Sequence, residues 1–162
     1  MRVLFVCTGN TCRSPMAEAI LKDLLESRGS ESKIEVFSAG LLTMNGLPAN
    51  SNSIQVLEEI GLDLRSHQSK QLTESLIDRA DLILTMTMDH KNAIVGHYGQ
   101  ASEKTYTVVE FAEKDDETMD VEDPYGRSVA VYRKTRDVLR GLMERISKKI
   151  MGVLENEDSN GQ

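Results

Sequence analysis

One stretch near the start restricts the fold more than any other: Val3-Leu4-Phe5-Val6-Cys7-Thr8-Gly9-Asn10-Thr11-Cys12-Arg13-Ser14-Pro15. Val3 to Val6 is an apolar run of strand type that stops at a cysteine. A short polar loop follows. Ser14 as N-cap and Pro15 at the first helical position then predict a helix start. Cys7 is thus expected at the carboxyl end of a strand, facing the amino end of a helix. Backbone N–H groups of a tight loop entering a helix converge and make an anion site. Gly9 and Asn10 tolerate the positive φ such a loop needs. Arg13 adds a planar fork that suits two oxygens of a phosphate. The same positive field favours thiolate over thiol at Cys7, and Ser14 can donate its hydroxyl to that sulfur. A nucleophile at the floor of a phosphate cradle reads as phosphoryl transfer to cysteine. Cysteine and arginine at this spacing are a weak signal alone; the preceding strand, the Gly-Asn turn and the capped helix make it specific. The bland alternative is a structural cysteine beside a solvated arginine.

The rest of the chain alternates strands with helices. Met16, Ala17, Ile20, Leu21 and Leu24 predict an amphipathic helix from 14 to about 28. Ile34, Val36 and Phe37 predict a second strand, closed by Ser38-Ala39-Gly40, and a loop rich in Gly, Pro and Asn covers 41–50. A helix from Ser51 carries Ile54, Leu57 and Ile60 to a stop at Gly61, and 62–71 reads as irregular. Leu72 to Ala80 predicts a short helix, Asp81 to Met86 a central strand apolar on both faces, Asp89 to Val95 a helix, and Thr105 to Val109 a fourth strand. A long final helix carries Val131, Val138, Leu139, Leu142, Ile146, Ile150 and Val153 as one stripe. The pattern implies an α/β fold: a single-domain, four-stranded parallel sheet of order 2-1-3-4 with helices on both faces. Residues 1–154 form the domain, and 155–162 a polar, frayed C-terminal tail. In such sheets ligands bind outside the carboxyl ends of the strands, where the strand order reverses. Here that point falls between strands 1 and 3, beside Cys7.

A net charge of −7 argues against sequence-independent binding of nucleic acid or of anionic membranes. No apolar run reaches spanning length, and the sequence opens directly on a strand, leaving no room for a signal peptide. The two cysteines share one short loop and so cannot form a structural disulfide framework. A cytoplasmic, reducing setting and a monomer are expected.

Cleaving a phosphoester needs a general acid near the departing group. Residues 113–123 supply seven acidic side chains in eleven, most of them a solvated face. Asp123 is favoured, because Pro124 stiffens the backbone after it and Tyr125 can wall the pocket. Asp120 is its rival. His67, His90 and His97 show no metal-ligand spacing and read as structural or surface residues, with His90 lining a helix start. Met86 and Met88 read as core filling.

The cysteine loop through Pro15, Ser38-Ala39-Gly40, Ala80-Asp81-Leu82-Ile83 and Asp123-Pro124-Tyr125-Gly126 together resemble the low-molecular-weight protein tyrosine phosphatases, over residues 1–150. The resemblance implies a flavodoxin-like phosphatase fold, phosphorylated proteins as substrates, and neither cofactor nor metal. It implies that Cys7 is the nucleophile and passes through a phosphocysteine. Arg13 and the loop from Thr8 through Gly9, Asn10, Thr11 and Cys12 would bind the phosphoryl oxygens, with Ser14 stabilising the thiolate. Asn10 would hold the loop's shape and Tyr125 would face the substrate. The resemblance raises Asp123 above Asp120 as proton donor and later as the base for water. Cys12 would be a redox partner able to pair with oxidised Cys7.

Thr11 stands where tyrosine-directed members carry a bulky aliphatic residue, and it is similar to the signature of the bacterial protein arginine phosphatase branch. A smaller, hydroxyl-bearing side chain leaves room at the pocket floor and can orient water, while Asp123 can also pair with a substrate guanidinium. Phosphoarginine is therefore the expected target, with phosphotyrosine as the alternative. Arg127 replaces a small residue and alters charge at the rim. A thioredoxin-coupled arsenate reductase shares this loop but needs a relay of further cysteines, and none follows Cys12. A non-catalytic phosphate-binding module would be expected to lack Cys7, Arg13 or Asp123, and all three are present.

Overall fold

The computed structural model describes residues 1–113, 115 and 117–160. The sequence-predicted acidic run 113–123 and polar tail 155–162 therefore lie partly outside the described residues. The elements in chain order are β1 (Arg2–Cys7), α1 (Arg13–Glu26), β2 (Glu35–Gly40), α2 (Ser51–Glu58), α3 (Glu74–Arg79), β3 (Leu82–Thr85) and α4 (Met88–His97). A 3₁₀ turn (Gly99–Lys104), β4 (Thr105–Thr107), α5 (Val108–Phe111) and α6 (Val129–Asn160) complete the chain.

The strands form one parallel sheet in the order β2-β1-β3-β4. Val3, Leu4, Phe5 and Val6 are fully buried; at about 1.5–3 kcal/mol per side chain, that burial fixes β1 at the sheet's centre. Alternation along the strand divides the core. Val3 and Phe5 pack beneath α1, α2 and α6, while Leu4 and Val6 pack with Ile77 of α3 and Ile94 of α4 on the other face. Glu59 ties α2 to α6. Hydrogen bonds from Arg133 and then Arg136 hold its carboxyl down to about 2.

Several local expectations are corrected. Helix α1 begins at Arg13 with Cys12 as N-cap, so Ser14 and Pro15 lie inside the first turn. Ser14 is not free to cap, because its hydroxyl is turned toward Cys7. β4 stops at Thr107, since Thr107 and Glu110 form a reciprocal capping box that starts α5. The third residue from a threonine outweighs the β-branched run Val108-Val109. On α6 the buried stripe is Tyr132, Leu139, Leu142, Met143, Ile146 and Ile150, while Val138 and Val153 face outward. The helix continues through the expected boundary at 154 to Asn160.

Candidate active site

The loop between β1 and α1 is built around Asn10, which is fully buried and adopts φ 54°. Asparagine is among the few residues that accept this left-handed backbone. Its Oδ1 accepts the Lys70 N–H at 2.9 Å, which fixes the amide orientation. Its Nδ2 then donates to Ser14 Oγ at 2.8 Å and to Ser38 Oγ at 2.9 Å. Ser14, having accepted that bond, directs its own hydrogen at Cys7 Sγ, 2.8 Å away. Ser38 passes its hydrogen to Glu18. The Asn10 N–H donates to Cys7 Sγ at 3.3 Å, so two donors point at one buried sulfur. Gly40 lies against this loop: a Cβ there would stand 2.7 Å from the Thr8 carbonyl oxygen, which accounts for glycine at the end of Ser38-Ala39-Gly40.

The opposite wall comes from far along the chain. Arg13 is 4% exposed; its Nη1 donates to the Val121 carbonyl at 3.0 Å and its Nη2 lies 3.3 Å from Asp123 Oδ2. Val121 N–H in turn donates to the Met86 carbonyl at 2.8 Å, just past β3. Asp123 Oδ1 accepts the Tyr125 N–H at 3.1 Å, and its carboxylate is half exposed. Asp120 is engaged elsewhere, accepting the Met88 N–H at 2.7 Å at the start of α4. The two rivals are therefore separated by the fold: Asp123 lines the cleft with Cys7, and Asp120 caps a helix end.

The cleft measures about 600 Å³. It is lined on the loop side by the buried Cys7 and Arg13 together with Thr8 and Thr11, and on another side by Asp123 and Tyr125. Leu42, Met44 and Leu47 line it from the 41–50 loop. Sequence reasoning missed these three; the available signal was exposed aliphatic side chains within a Gly/Pro/Asn-rich loop. Arg127 pairs with Glu122 at 3.5 Å and does not line the cleft. Cys12 is buried, its Sγ 3.4 Å from Tyr132 Oη; burial pushes its thiol up against the opposing hydrogen bond from Tyr132. Tyr132 is likewise pushed up, by burial and then by Cys12.

Two histidines read as structural or surface residues also touch this loop. His67 Nε2 lies 2.7 Å from the Asn10 carbonyl, and His90 Nε2 lies 2.9 Å from Thr8 Oγ1. Neither contact has a local sequence signal, since the partners are 57 and 82 positions apart. His97 instead packs edge-on against Tyr98.

The arrangement resembles that of known proteins along nearly its whole length. The profile of the low molecular weight phosphotyrosine protein phosphatases matches residues 2–157. A protein-arginine-phosphatase of Bacillus subtilis is 39% identical over 93% of this chain and 97% of its own. The low molecular weight protein-tyrosine-phosphatase PtpB of Staphylococcus haemolyticus is 38% identical over 90% and 97%. Among solved structures, a mutant YwlE arginine phosphatase with a phosphorylated active-site serine superposes with TM-score 0.87 at 38% identity, covering 93% of this chain and 96% of that one.

Proposed function

The chain belongs to the low molecular weight phosphotyrosine protein phosphatases, a family of cysteine-dependent protein phosphatases, and we propose that within that family it hydrolyses phosphoarginine on proteins. Cys7 Sγ attacks phosphorus in line with the departing guanidino nitrogen. The P–N bond breaks as an S–P bond forms, and Asp123 delivers its proton to that nitrogen, releasing arginine as a guanidinium. The resulting Asp123 carboxylate then takes a proton from water as the water attacks phosphorus. Phosphate leaves, and the thiolate returns with Asp123 protonated. Arg13 and the amides of Thr8 through Arg13 hold the phosphoryl oxygens. Hydrogen bonds from the Asn10 N–H and the Ser14 hydroxyl stabilise the charge that the sulfur regains.

The observation that carries the arginine reading is that Thr11, a small hydroxyl-bearing residue, and the half-exposed Asp123 line one cleft with Cys7. Once its proton has passed to the departing nitrogen, the Asp123 carboxylate can pair with the released guanidinium as it pairs with that of Arg13. The similarity to arginine phosphatases points the same way. Phosphotyrosine is the second reading: Tyr125 is 72% exposed at the rim and offers a ring face to a phenol. Two free cysteines within a single loop fit a reducing, cytoplasmic setting, and none of the described helices is long and apolar enough to cross a membrane.

The test compares phosphate release from a phosphoarginyl protein and a phosphotyrosyl protein by the wild type and by Thr11→Ile. The wild type is expected to prefer phosphoarginine, and Thr11→Ile to move the kcat/KM ratio toward phosphotyrosine by about ten-fold or more. An unchanged ratio removes the basis for arginine selectivity. Mass spectrometry of a rapidly quenched turnover mixture should carry a phosphate adduct on Cys7, and none in Cys7→Ala.

A further inference from the structure

The mechanism above uses Thr8 only through its backbone N–H and does not use His90 at all. We propose that the Thr8 hydroxyl is an additional donor to the phosphoryl group, and that His90 is the positioning residue that sets it. This rests on the phosphatase reading of the cleft but not on the choice between arginine and tyrosine.

Thr8 follows the nucleophile directly, is exposed, and lines the cleft. Its Oγ1 lies 2.9 Å from Nε2 of His90, a residue 6% exposed in the first turn of α4. Either atom could donate, and the surroundings decide. Among the described residues, His90 Nδ1 is buried with no hydrogen-bond partner. If Thr8 donated to Nε2, the ring proton would sit on Nδ1 as a buried N–H without an acceptor. Orphaned buried N–H groups are rarer and less tolerable than under-satisfied acceptors. The ring proton therefore belongs on Nε2 and is given to Thr8 Oγ1. One lone pair of the oxygen is then occupied, and its own hydrogen, no longer given to the ring, is free to turn into the cleft, where a phosphoryl oxygen bound by Arg13 would lie.

The ring stays neutral while doing this. Burial first, and the facing Arg13 guanidinium second, lower His90 to about 4, against the opposing pull of Asp123, Asp120 and Asp89. A neutral donor fixes Thr8 without adding a second positive charge to compete with Arg13 for Asp123.

The experiment measures kcat/KM on p-nitrophenyl phosphate and inhibition by orthovanadate for Thr8→Val, Thr8→Ser, His90→Phe, His90→Gln and the Thr8→Val/His90→Phe double variant, with the unfolding midpoint of each. Thr8→Val and His90→Phe are each expected to lose about ten-fold in kcat/KM and to weaken vanadate binding similarly, as one hydrogen bond to an anion allows. Thr8→Ser should keep most activity. His90→Gln, whose amide N–H reaches the place of Nε2–H, should recover most of what His90→Phe loses. The double variant should be no worse than Thr8→Val alone, because both changes remove one donor. Multiplicative losses in the double variant, a fully active Thr8→Val, or a folded His90→Gln as poor as His90→Phe would each overturn the assignment. Should His90→Phe fail to fold, the exposed and isosteric Thr8→Val against Thr8→Ser still decides. An aryl phosphate keeps the outcome separate from the arginine question: wild-type silence on phosphoarginyl protein would defeat that reading and leave the Thr8 result standing.

Discussion

The two walls of the cleft are held in opposite ways. The nucleophile's wall is interlocked: Asn10 alone reaches Ser14, Ser38, Lys70 and the Cys7 sulfur, and every one of those groups except Lys70 is buried. The wall that carries Asp123, the proposed acid, is tethered. Segment 120–123 is pinned by Val121 to Met86, by Arg13 to Val121 and by Asp120 to Met88, while the Asp123 side chain stays half exposed. A phosphoryl cradle must keep its donors fixed in space, because its contribution comes from dipoles that do not reorganise. A proton donor serving a bulky leaving group must let that group in and out. The same chain thus builds one wall as core and the other as surface, and changes to the two walls should fail differently.

The largest effect is expected at the tethered wall and in rate alone. Asp123→Asn should lower kcat by about 10²- to 10³-fold, since the amide can neither protonate the departing nitrogen nor take a proton from water. Its unfolding free energy should change by less than about 1 kcal/mol, because Asp123 is itself half exposed and asparagine keeps an oxygen for the buried Arg13 guanidinium. Asp120→Asn should lose far less activity, since asparagine keeps an oxygen for the Met88 N–H and Asp120 is held at the start of α4. Steady-state assays with urea unfolding check both, and an Asp120→Asn defect equal to that of Asp123→Asn would return the proton donor to an open question.

The interlocked wall should fail in stability as well as in rate. Asn10→Ala places an ordinary residue at φ 54° and strips partners from Ser14, Ser38 and the Lys70 N–H, all in one step. About 3 kcal/mol of unfolding free energy should go, from backbone strain and unpaired polar groups together. Activity should fall even on a small aryl phosphate. Urea midpoints read the first effect; if Asn10→Ala unfolds like the wild type, the rigidity assigned to this wall is misplaced.

The same contrast explains what could be read from the residues. The cysteine loop was legible because its determinants are local: strand run, Gly-Asn turn, arginine and helix start fall within thirteen positions. The sheet order followed from alternating patterns, and the apolar face of β1 from its composition. The proposed acid was less sharply legible. Pro124 and Tyr125 favour Asp123 over Asp120 within the acidic run, but what separates the two in space is long-range: Val121 bonds to Met86, Asp120 to Met88 at the start of α4, and Asp123 lines the cleft. Ser14 reads both as a cap and as a donor to Cys7; its hydroxyl cannot serve both, and the structure commits it to the sulfur while Cys12 takes the N-cap position. His90 stands at a helix start as its position suggests, but the contacts of His67 and His90 with the loop could not be read, because each reaches it from more than fifty residues away.

His90 also gives the comparison a pH dependence, the smallest effect expected. Its folded value of about 4 lies below the ordinary 6.5, because burial and then Arg13 penalise the charged ring. Between those two values the unfolded chain holds a proton that the folded one refuses. Stability must therefore fall as pH drops from about 6.5 toward 4, by about 2 to 3 kcal/mol if the ring stays buried. Above 6.5 both states are neutral and the contribution is complete. Carboxylates held low by arginine, such as Glu59, also weaken the fold on acidification, but only at lower pH. The informative quantity is the difference between proteins. His90→Gln cannot charge, so its unfolding free energy should decline less than that of the wild type between about pH 7 and pH 4.5. Parallel curves would mean that the ring that meets Thr8 takes up a proton in the folded state as readily as in water, and the rigid wall would then have a flexible floor.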